Sequence, residues 1–531
     1  MAVNRAGIRK KRLKILAFCC AMLVSLVMSG KNLINFRERT IGHIFSREQD
    51  WPFIMEKWTM ENPENEGPWD FDLVILGGGS AGYVGAIRAA QLGMTVLVLD
   101  PGLLGGTCLH EGCIPTKALL EVSGFLKGME ESGRFGVTVP SRTLDPEKMT
   151  AFRTGIVDRL TRGIEFLFKK NRITYLPFLG LLLDPHTVRI MEDPVREIRA
   201  RFILLATGSK PRPFPGVPFD HDKVMDSTDL LNRPSYSGRI AIVGGGAIGC
   251  EFADILESFG VTVTVIEKES RLLPQEDSEV AEVLSKELQS RGVTVYTGVS
   301  DLRIKTNENN PEVNLEFVEG GHQRTLSVDR VLVGIGRVPV TEGLGLDAVG
   351  ILPGPGGFLK VGPDNQTAVP GIYAAGDLTG GLLLAHKASH EAIIAVESMA
   401  GKKPLPLDSR TIPRVVYTHP EIVSMGLTRE QAVAEGFEVR EGRFPLLGNG
   451  RSLILGSRRG FFKALSDMKT GRILGFHGIG PHVSEMIAMI SVVMPETDGA
   501  ELISRAVFPH PTVSEALHEA FLDMEGIAIH R

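Results

Sequence analysis

Two cysteines with four residues between them carry the strongest chemical signal in this sequence. Cys108 and Cys113 lie in the segment GGTCLHEGCIPTKALL, residues 105–120. A regular helix would turn residues i and i+5 about 140° apart, which does not suit a disulfide, but the glycines of the segment permit an irregular turn that brings the thiols together. The apolar run from Ala118 predicts that a helix follows, and a thiol near a helix N-terminus has a lowered pKa. The pair is therefore a candidate dithiol–disulfide centre.

Two other interpretations of this pair stay open from the residues alone: two buried structural cysteines, or half of a metal site. A zinc site would want further Cys or His ligands at Cys-x2–4-Cys spacing, and the sequence has no second pair of that kind. We therefore favour redox chemistry and predict no metal. Of the other three cysteines, Cys19 and Cys20 lie near the N-terminus, and Cys250 is predicted to be a small core residue.

A glycine-rich unit occurs twice and must position this chemistry. Residues 71–100 and 239–267 each read as an apolar strand, a GxGxxG turn, a helix and a second apolar strand that ends in an acid. Four positions recur at an offset of 167 residues: Gly77, Gly79, Gly82 and Asp100 in the first copy, and Gly244, Gly246, Gly249 and Glu267 in the second. This pattern is the dinucleotide-binding fingerprint, in which the glycines allow the tight turn, the approach of the pyrophosphate and close helix–strand packing. The helix N-terminus faces the phosphates, and the acid accepts hydrogen bonds from the ribose.

Two fingerprints predict two dinucleotides, which suits electron transfer between a fixed cofactor and a diffusible one. The acid of the second copy, Glu267, favours a free ribose 2′-hydroxyl and repels a 2′-phosphate, so NAD is predicted over NADP. Lys268 and Arg271 lie nearby and would act in the opposite direction.

Composition narrows the class of protein. The 531 residues are 43% hydrophobic and 23% charged, as in an ordinary globular protein. The net charge of −5 gives no indication of a nucleic-acid partner. The charge is uneven, since residues 1–60 hold 11 Lys+Arg against 4 Asp+Glu, a net of +7.

The apolar run at residues 15–30 is short for a membrane span, which needs about 20 residues. Three interpretations compete: a signal or anchor, an unstructured extension, or a true start downstream at Met55 or Met60, which we favour. Residues 1–69 are therefore left out of the fold prediction as an N-terminal extension. We expect a cytoplasmic protein, in contact with a membrane only if the run is a real anchor.

Further motifs extend the pattern along the chain. They are LLATGSKPRPFPG (204–216), GIGRVPVT (334–341), TAVPGIYAAGD (367–377), LAHKASHEA (384–392) and VFPHPTVSEAL (507–517). With the two fingerprints and the cysteine pair, they make residues 70–531 resemble the flavoprotein disulfide reductases, and among them the dihydrolipoamide dehydrogenases. The resemblance implies an α/β fold with two Rossmann-like domains, one for FAD and one for NAD, and a C-terminal α+β dimerisation domain.

The same resemblance implies the domain bounds and the cofactors. It implies an FAD-binding domain at 70–216, an NAD-binding domain at 217–333, a return to the FAD-binding domain at 334–402 and an interface domain at 403–531. FAD would be bound without a covalent link, one per subunit, and NAD⁺ or NADH would be the diffusible substrate. Beyond the first fingerprint, the FAD-binding residues would be Thr107, Lys117, Thr207, Gly208, Asp377, Leu384, Ala385 and His386. Beyond the second, the NAD-binding residues would be Glu251 and Gly336.

The catalytic roles also follow from the resemblance. Lys117 would lie near flavin N5, paired with Glu251, and the pair would stabilise negative charge on the reduced flavin. Oxidation of a dithiol needs a base, and a histidine oriented by a carboxylate suits that role. One histidine among 13 is weak evidence by itself, but the resemblance assigns His510 and Glu515 to it, acting on the disulfide of the partner subunit, which implies a homodimer.

The predicted activity is the oxidation of protein-bound dihydrolipoamide with reduction of NAD⁺, through a redox disulfide of Cys108 and Cys113. The partner would be a lipoyl domain of an acyltransferase or of a glycine cleavage protein. Another disulfide reductase, of the glutathione or mercuric type, remains the alternative. His419, His477 and His482 are predicted to be structural.

Overall fold

The computed structural model describes residues 68–306, 311–457 and 459–530. The interpretations of the apolar run at 15–30 and of a start at Met55 or Met60 therefore lie outside the described residues. The chain divides into two units, Met1–Asp70 and Phe71–Arg531, and the described helices and strands belong to the second. Within the described residues, no helix is both long enough and apolar enough to cross a membrane.

The first sheet is built mainly from residues 71–205. The elements up to residue 211 are β1 (Phe71–Leu76), α1 (Ser80–Gln91), β2 (Val96–Leu99), α2 (Gly106–His110), α3 (Cys113–Glu130), α4 (Pro146–Lys170), β3 (Thr174–Leu176), β4 (Gly180–Asp184), β5 (Thr187–Ile190), β6 (Arg196–Leu205) and β7 (Ser209–Pro211). The strand order is β3-β2-β1-β6-β5-β4, with β1, β2, β3 and β6 parallel. β2 reads VLVL and is buried throughout, as expected for a parallel strand covered on both faces.

The second sheet repeats this plan. Its elements and their neighbours are β8 (Val224–Met225), α5 (Ser227–Leu231), β9 (Arg239–Val243), α6 (Ala247–Ser258), β10 (Thr262–Ile266), α7 (Ser278–Ser290), β11 (Thr294–Tyr296), β12 (Ser300–Lys305), β13 (Val313–Glu319), β14 (His322–Val328), β15 (Arg330–Val333) and β16 (Arg337–Pro339). The parallel order is β11-β10-β9-β15-β8, and β12-β13-β14 form a separate antiparallel sheet. The two fingerprint units thus occupy equivalent places in two parallel sheets.

The chain then returns to the first sheet. β17 (Ile372–Ala374) pairs with β6 in parallel, and α8 (Ala385–Met399) follows it. Small residues let α8 pack closely on α1: a Cβ at Gly85 of α1 would lie 3.3 Å from the Cβ of Ala392. Because β17 and β6 are parallel neighbours, their carboxyl ends lie side by side.

The last part of the chain is an antiparallel sheet with helices on it. Its elements are β18 (Arg414–Val416), β19 (Glu421–Gly426), α9 (Arg429–Ala434), β20 (Val439–Pro445), α10 (Gly450–Ile454), β21 (Phe461–Asp467), β22 (Ile473–Gly480), α11 (Val483–Val493), α12 (Gly499–Arg505) and α13 (Ser514–Met524). The strand order is β18-β19-β22-β21-β20. Two α/β sheets, each with parallel strands around its fingerprint unit, followed by an antiparallel α+β part, confirm the predicted fold class.

Candidate active site

The first nucleotide turn joins β1 to α1 and requires glycine at two positions. Gly77 has φ +107°, and a Cβ there would lie 2.3 Å from the carbonyl oxygen of Ala206. A Cβ at Gly82 would lie 1.8 Å from the carbonyl oxygen of Gly77. Gly79 caps α1 without a side-chain hydrogen bond, and its own Cβ position is 3.9 Å from the nearest atom, the Cα of Gly106. Backbone atoms therefore fill the space around Gly77 and Gly82, whereas space remains in front of the helix N-terminus at Gly79.

The second nucleotide turn, between β9 and α6, has the same geometry. Gly244 has φ +109°, and a Cβ there would lie 2.5 Å from the carbonyl oxygen of Gly334. A Cβ at Gly249 would lie 1.9 Å from the carbonyl oxygen of Gly244, whereas nothing lies within 4 Å of the Cβ position at Gly246. Gly246 caps α6 without a side-chain hydrogen bond. Both helices thus present an uncapped N-terminus, the arrangement that binds phosphate.

The acid that ends each fingerprint also holds its turn in place. Asp100 accepts a hydrogen bond from the Gly78 N–H, and Glu267 accepts the equivalent bond from the Gly245 N–H. Sequence reasoning assigned these acids to the ribose alone and missed the bond to the backbone. The shared spacing of 22 residues between glycine and acid was the available signal. A carboxylate oxygen has two lone pairs, so acceptors for a ribose hydroxyl remain.

Residues predicted to bind FAD meet at the ends of β6 and β17. Asp377 follows β17 and accepts a hydrogen bond from the Ser209 hydroxyl. The Thr207 hydroxyl donates to the Val340 carbonyl at 2.6 Å. Gly208, between Thr207 and Ser209 in the chain, has φ +72°. Leu384 is the N-cap of α8, which begins at Ala385. His386 is the second residue of that helix, and its Nε2 lies 2.8 Å from the Pro413 carbonyl oxygen.

The cysteine pair spans the junction of two helices and lies against the first turn. Cys108 is in α2, and Cys113 is the first residue of α3. The helix that the apolar run from Ala118 predicts begins at Cys113, so that thiol lies at the helix N-terminus itself. Gly106 of α2 has φ +58°, and a Cβ there would lie 2.6 Å from the Cα of Gly79. Only glycine lets α2 approach the nucleotide turn this closely.

The two thiols are not bonded and form a hydrogen-bonded dithiol with unequal acidities. The hydrogen bond from Cys108 and the nearby Lys117 ammonium outweigh burial and lower the pKa of Cys113 to about 7. Donating that hydrogen bond, together with burial, raises the pKa of Cys108 far above its usual value. In the reduced pair, Cys113 is the thiolate and Cys108 the thiol.

We expect iodoacetamide to alkylate Cys113 of the reduced protein with an apparent pKa near 7, because only the thiolate reacts. Cys108 should stay slow up to at least about pH 9, the ordinary range for a free thiol. Timed alkylation across pH, read by peptide mass spectrometry, measures both, with the buried Cys250 as an internal unreactive control. Equal reactivity of Cys108 and Cys113 at pH 7 would contradict this assignment.

Lys117, one turn after Cys113 on α3, lies against Glu251 of α6. The Lys117 Nζ is 2.9 Å from both carboxylate oxygens of Glu251. The Tyr417 N–H donates to the same carboxylate at 3.0 Å, and the Lys117 ammonium lies 4.7 Å from the centre of the Tyr417 ring. Although burial opposes it, Glu251 raises the pKa of Lys117 and keeps it charged. A fixed cation thus lies beside the Cys113 thiolate.

His510 and Glu515 form a pair at the start of α13. The His510 Nδ1 lies 2.9 Å from Glu515 Oε1, and the Thr512 N–H donates to Oε2 of the same carboxylate at 2.8 Å. Burial acts to raise the pKa of Glu515, but these two hydrogen bonds outweigh it and lower that pKa. The His510 side chain is 81% exposed, and among the described residues its hydrogen-bond partner is Glu515 and neither cysteine. The His510 imidazole therefore points outward from its own chain.

Cys250 is fully buried, as predicted, and its Sγ lies 3.3 Å from the Gly245 carbonyl oxygen. His477 is also fully buried, between the Ser424 hydroxyl and the Leu427 carbonyl. One cluster of metal-ligand types occurs among the described residues, namely His221, Asp226 and Asp229. Its carboxylates cap helix α5, and His221 bonds to one of them.

Two uncapped dinucleotide turns, one of them in contact with a dithiol that lies beside a fixed cation, define a dinucleotide-dependent disulfide oxidoreductase. The family described as pyridine nucleotide-disulphide oxidoreductase matches residues 71–392, and its dimerisation domain matches residues 412–521. The chain belongs to this family. It is an oxidoreductase and a flavoprotein that uses FAD and NAD, and its dimerisation domain supports a homodimer.

Curated relatives match along nearly their whole length. A dihydrolipoyl dehydrogenase of Bacillus subtilis (strain 168) is 40% identical over 473 residues, covering 87% of this chain and 99% of the relative. A mitochondrial dihydrolipoyl dehydrogenase of Caenorhabditis elegans is 38% identical over 482 residues, covering 90% and 97%. The crystal structure of LpdA from Mycobacterium tuberculosis has a TM-score of 0.79 at 28% identity, covering 85% of this chain and 98% of that one.

Proposed function

We propose that this protein oxidises dihydrolipoamide on a lipoyl domain and reduces NAD⁺ to NADH. That lipoyl domain would belong to the acyltransferase of a 2-oxo-acid dehydrogenase complex or to a protein of the glycine cleavage system. The observation that supports this most is the placement of the Cys108–Cys113 pair: it lies against the first nucleotide turn, and Lys117, paired with Glu251, lies one helical turn after Cys113. The relatives named dihydrolipoyl dehydrogenase support the same substrate over the glutathione-type and mercuric-type alternatives. The cytoplasm, where NAD⁺ is available, is the proposed location.

The first turn suits FAD, because the space in front of Gly79 adjoins the helix that carries Cys108. When bound, FAD supplies a two-electron relay between the dithiol and the nicotinamide. The residues proposed to hold it are Gly77, Gly79, Gly82, Asp100, Thr107, Lys117, Thr207, Gly208, Asp377, Leu384, Ala385 and His386. The second turn suits NAD, and the residues proposed to hold it are Gly244, Gly246, Gly249, Glu251, Glu267 and Gly336.

The chain's own residues support the thiol exchange. The partner subunit's His510, oriented by that subunit's Glu515, takes a proton from one thiol of dihydrolipoamide. The resulting thiolate attacks Cys108 of the oxidised pair, so a mixed disulfide forms, the Cys108–Cys113 bond breaks, and Cys113 leaves as a thiolate beside Lys117. Cys113 is the better leaving group because its pKa is the lower of the two.

The second thiol of the substrate completes the exchange. It attacks the substrate sulfur of the mixed disulfide, which forms the lipoamide disulfide and releases Cys108 with a proton. The substrate has lost two electrons and two protons, and the enzyme dithiol holds the two electrons. They leave as a hydride on NAD⁺, and the remaining proton goes to solvent.

Glu267 is proposed to set the preference for NAD over NADP. Its carboxylate is fixed by the N–H groups of Gly245 and Glu269, and Arg271 donates to the Pro274 carbonyl at 3.0 Å. Glu267→Gln is expected to raise kcat/KM for NADP⁺ about tenfold, since repulsion of the 2′-phosphate is removed. Steady-state rates with both nucleotides measure this.

The matched control is Asp100→Asn, the equivalent change in the first copy. It should weaken FAD retention and leave the ratio of NADP⁺ to NAD⁺ activity unchanged. The proposal for Glu267 fails if that ratio stays within twofold of wild type in Glu267→Gln.

The activity itself is tested with purified protein, dihydrolipoamide and NAD⁺, by following NADH absorbance. Parallel assays offer NADH or NADPH with glutathione disulfide. We expect turnover with lipoamide to exceed turnover with glutathione disulfide by at least about a hundredfold, the scale on which an enzyme discriminates against a substrate that it is not built to bind. Comparable rates, or a higher rate with glutathione disulfide and NADPH, would favour the glutathione-type alternative.

A further inference from the structure

A buried ion cluster lies behind the Lys117–Glu251 pair and plays no part in the exchange described above. Its centre is Asp254, which is fully buried in α6 and lies one turn after Glu251. The Asp254 carboxylate accepts hydrogen bonds from Lys127 Nζ at 2.5 Å, Arg291 Nη2 at 2.8 Å and His419 Nδ1 at 2.9 Å. Ser123 and the His419 N–H add bonds at 3.3 Å each. A buried carboxylate this fully bonded holds several segments in one arrangement.

Glu251 and Asp254 connect the same three segments. Each acid belongs to α6, takes a lysine of α3, and accepts a backbone N–H from residues 417–419. The lysines are Lys117 for Glu251 and Lys127 for Asp254. The helix that begins at Cys113 is therefore fixed to the NAD-binding helix and to the start of the antiparallel part at two points.

The spacing along the two helices means that the Lys117–Glu251 and Lys127–Asp254 ion pairs restrain α3 in opposite directions along its axis. Lys117 and Lys127 are separated by about 15 Å along α3, whereas Glu251 and Asp254 are separated by only about 4.5 Å along α6, at 1.5 Å per residue. The two lysine side chains therefore converge on adjacent acids from opposite directions. Either pair alone leaves α3 braced from one side only, so removing Asp254 permits a shift of the helix that carries Cys113 and Lys117.

His419 adds a third restraint on α3. A Cβ at Gly124 of α3 would lie 2.5 Å from His419 Nε2, so the imidazole packs directly on the helix backbone. Its other nitrogen bonds to Asp254. The residue predicted to be structural thus connects Asp254 to the middle of the redox helix.

We propose that Asp254 is a positioning residue for the redox site, which fixes α3 along its axis so that Cys113 and Lys117 keep their places beside the flavin. This inference rests on the proposed function, in which those two residues act at the flavin. Asp254 does not touch the reacting atoms, and its effect passes through Lys127, His419 and the helix.

The test compares Asp254→Asn with Asp277→Asn in the intact holoenzyme. Asp277 is a matched control because it is also fully buried and bonds a buried lysine, Lys463, at 2.9 Å. It caps α7, and within the described part of the chain its carboxylate bonds to the start of α7 and to Lys463 rather than to α3. Both variants should lose thermal stability, since each removes a buried carboxylate that bonds a lysine; in Asp277→Asn, Lys463 keeps Glu279 as its other partner.

Three readouts separate positioning from stability alone. In Asp254→Asn we expect kcat to fall about tenfold or more with both KM values within about threefold, a loss confined to the reacting geometry. The long-wavelength thiolate–flavin absorption of the two-electron-reduced protein should weaken, and the apparent pKa of Cys113 in alkylation should rise as Lys117 moves away. Asp277→Asn should leave all three unchanged.

Equal behaviour of the two variants in the three readouts would overturn the inference. If Asp254→Asn does not give a folded dimer, Lys127→Gln decides the matter, because that lysine lies at the edge of the cluster with its side chain 14% exposed. Lys127→Gln should change kcat, the thiolate–flavin absorption and the apparent pKa of Cys113 in the same directions as Asp254→Asn, but by smaller amounts. If these three readouts are unchanged, the proposal is again overturned. Failure of wild-type protein to turn over lipoamide would instead overturn the proposed function, and the alkylation comparison would still decide the role of Asp254.

Discussion

Replacing Cys113 with serine is expected to reduce dihydrolipoamide turnover by about 10⁴-fold or more, the scale on which removal of a covalent catalytic group acts. The serine hydroxyl cannot form the disulfide that receives the electrons, and its pKa is too high for it to act as a leaving group. FAD should remain bound, since the first turn and its glycines are untouched. The NADH-forming assay measures turnover, and the visible spectrum with the protein-to-flavin ratio measures FAD.

Cys250→Ala is the control for this substitution. Cys250 is fully buried on α6, at the second nucleotide turn, and bonds only to a backbone carbonyl. The variant should lose some stability because a small cavity forms, and it should keep most of its activity. Lipoamide turnover by Cys113→Ser within tenfold of wild type would contradict the assignment of the thiol pair.

His510→Gln is expected to lower kcat for dihydrolipoamide oxidation by about 10²- to 10⁴-fold, the usual contribution of a general base. Glutamine can still bond to Glu515 but cannot accept the thiol proton. Glu515→Gln should have a smaller effect, about tenfold, because it loosens the orientation of the imidazole but leaves the base in place. Stopped-flow reduction of the protein by dihydrolipoamide isolates this step from the later transfer to NAD⁺.

The chain offers a matched control on the same helix. His530 Nδ1 lies 2.7 Å from Glu519 Oε1, so it pairs with α13 as His510 does, and its side chain is 69% exposed. His530→Gln should leave the rate of reduction within twofold of wild type. If His510→Gln and His530→Gln behave alike, His510 is not the base.

The sequence alone was sufficient for the features that depend on local spacing. The two glycine turns, their terminal acids and the Cys108–Cys113 pair each lie within about thirty residues, so type and order of residues define them. The strand–turn–helix geometry then follows from the steric demands at positions such as Gly82 and Gly249, where a Cβ would meet a carbonyl oxygen of the same turn.

Features that depend on distant segments could not be read from the residues. The Asp254 cluster joins residues separated by 127 and 165 positions, and no local pattern marks a buried carboxylate as a partner of Lys127 and His419. The residue at which α3 begins, Cys113, could not be read from the sequence, because the apolar pattern becomes clear only at Ala118. The division of acidity between the two thiols depends on which one donates the shared hydrogen bond, which only the three-dimensional arrangement specifies.

The domain bounds and the roles of the individual residues remain predictions, and the proposed variants test the roles. The structure shows a second role for the acid that ends each fingerprint. Asp100 and Glu267 each bond to the backbone of their own turn, so each acid organises the phosphate loop before any ribose arrives. Substitution of Glu267 therefore affects its turn as well as nucleotide choice. Asp100→Asn changes the equivalent bond in the first turn alone and so shows the effect of that bond without a change in nucleotide choice.

The central claim is that electrons pass through the Cys108–Cys113 pair. It is tested most directly by alkylating the oxidised protein, with and without one equivalent of NADH, under denaturing quench and without oxygen, and by identifying the labelled peptides by mass spectrometry. We predict that neither cysteine is labelled in the oxidised protein and that both are labelled after NADH, while Cys250 is labelled equally in both samples. Lipoamide turnover by a protein in which NADH does not change the labelling of Cys108 and Cys113 would contradict the account.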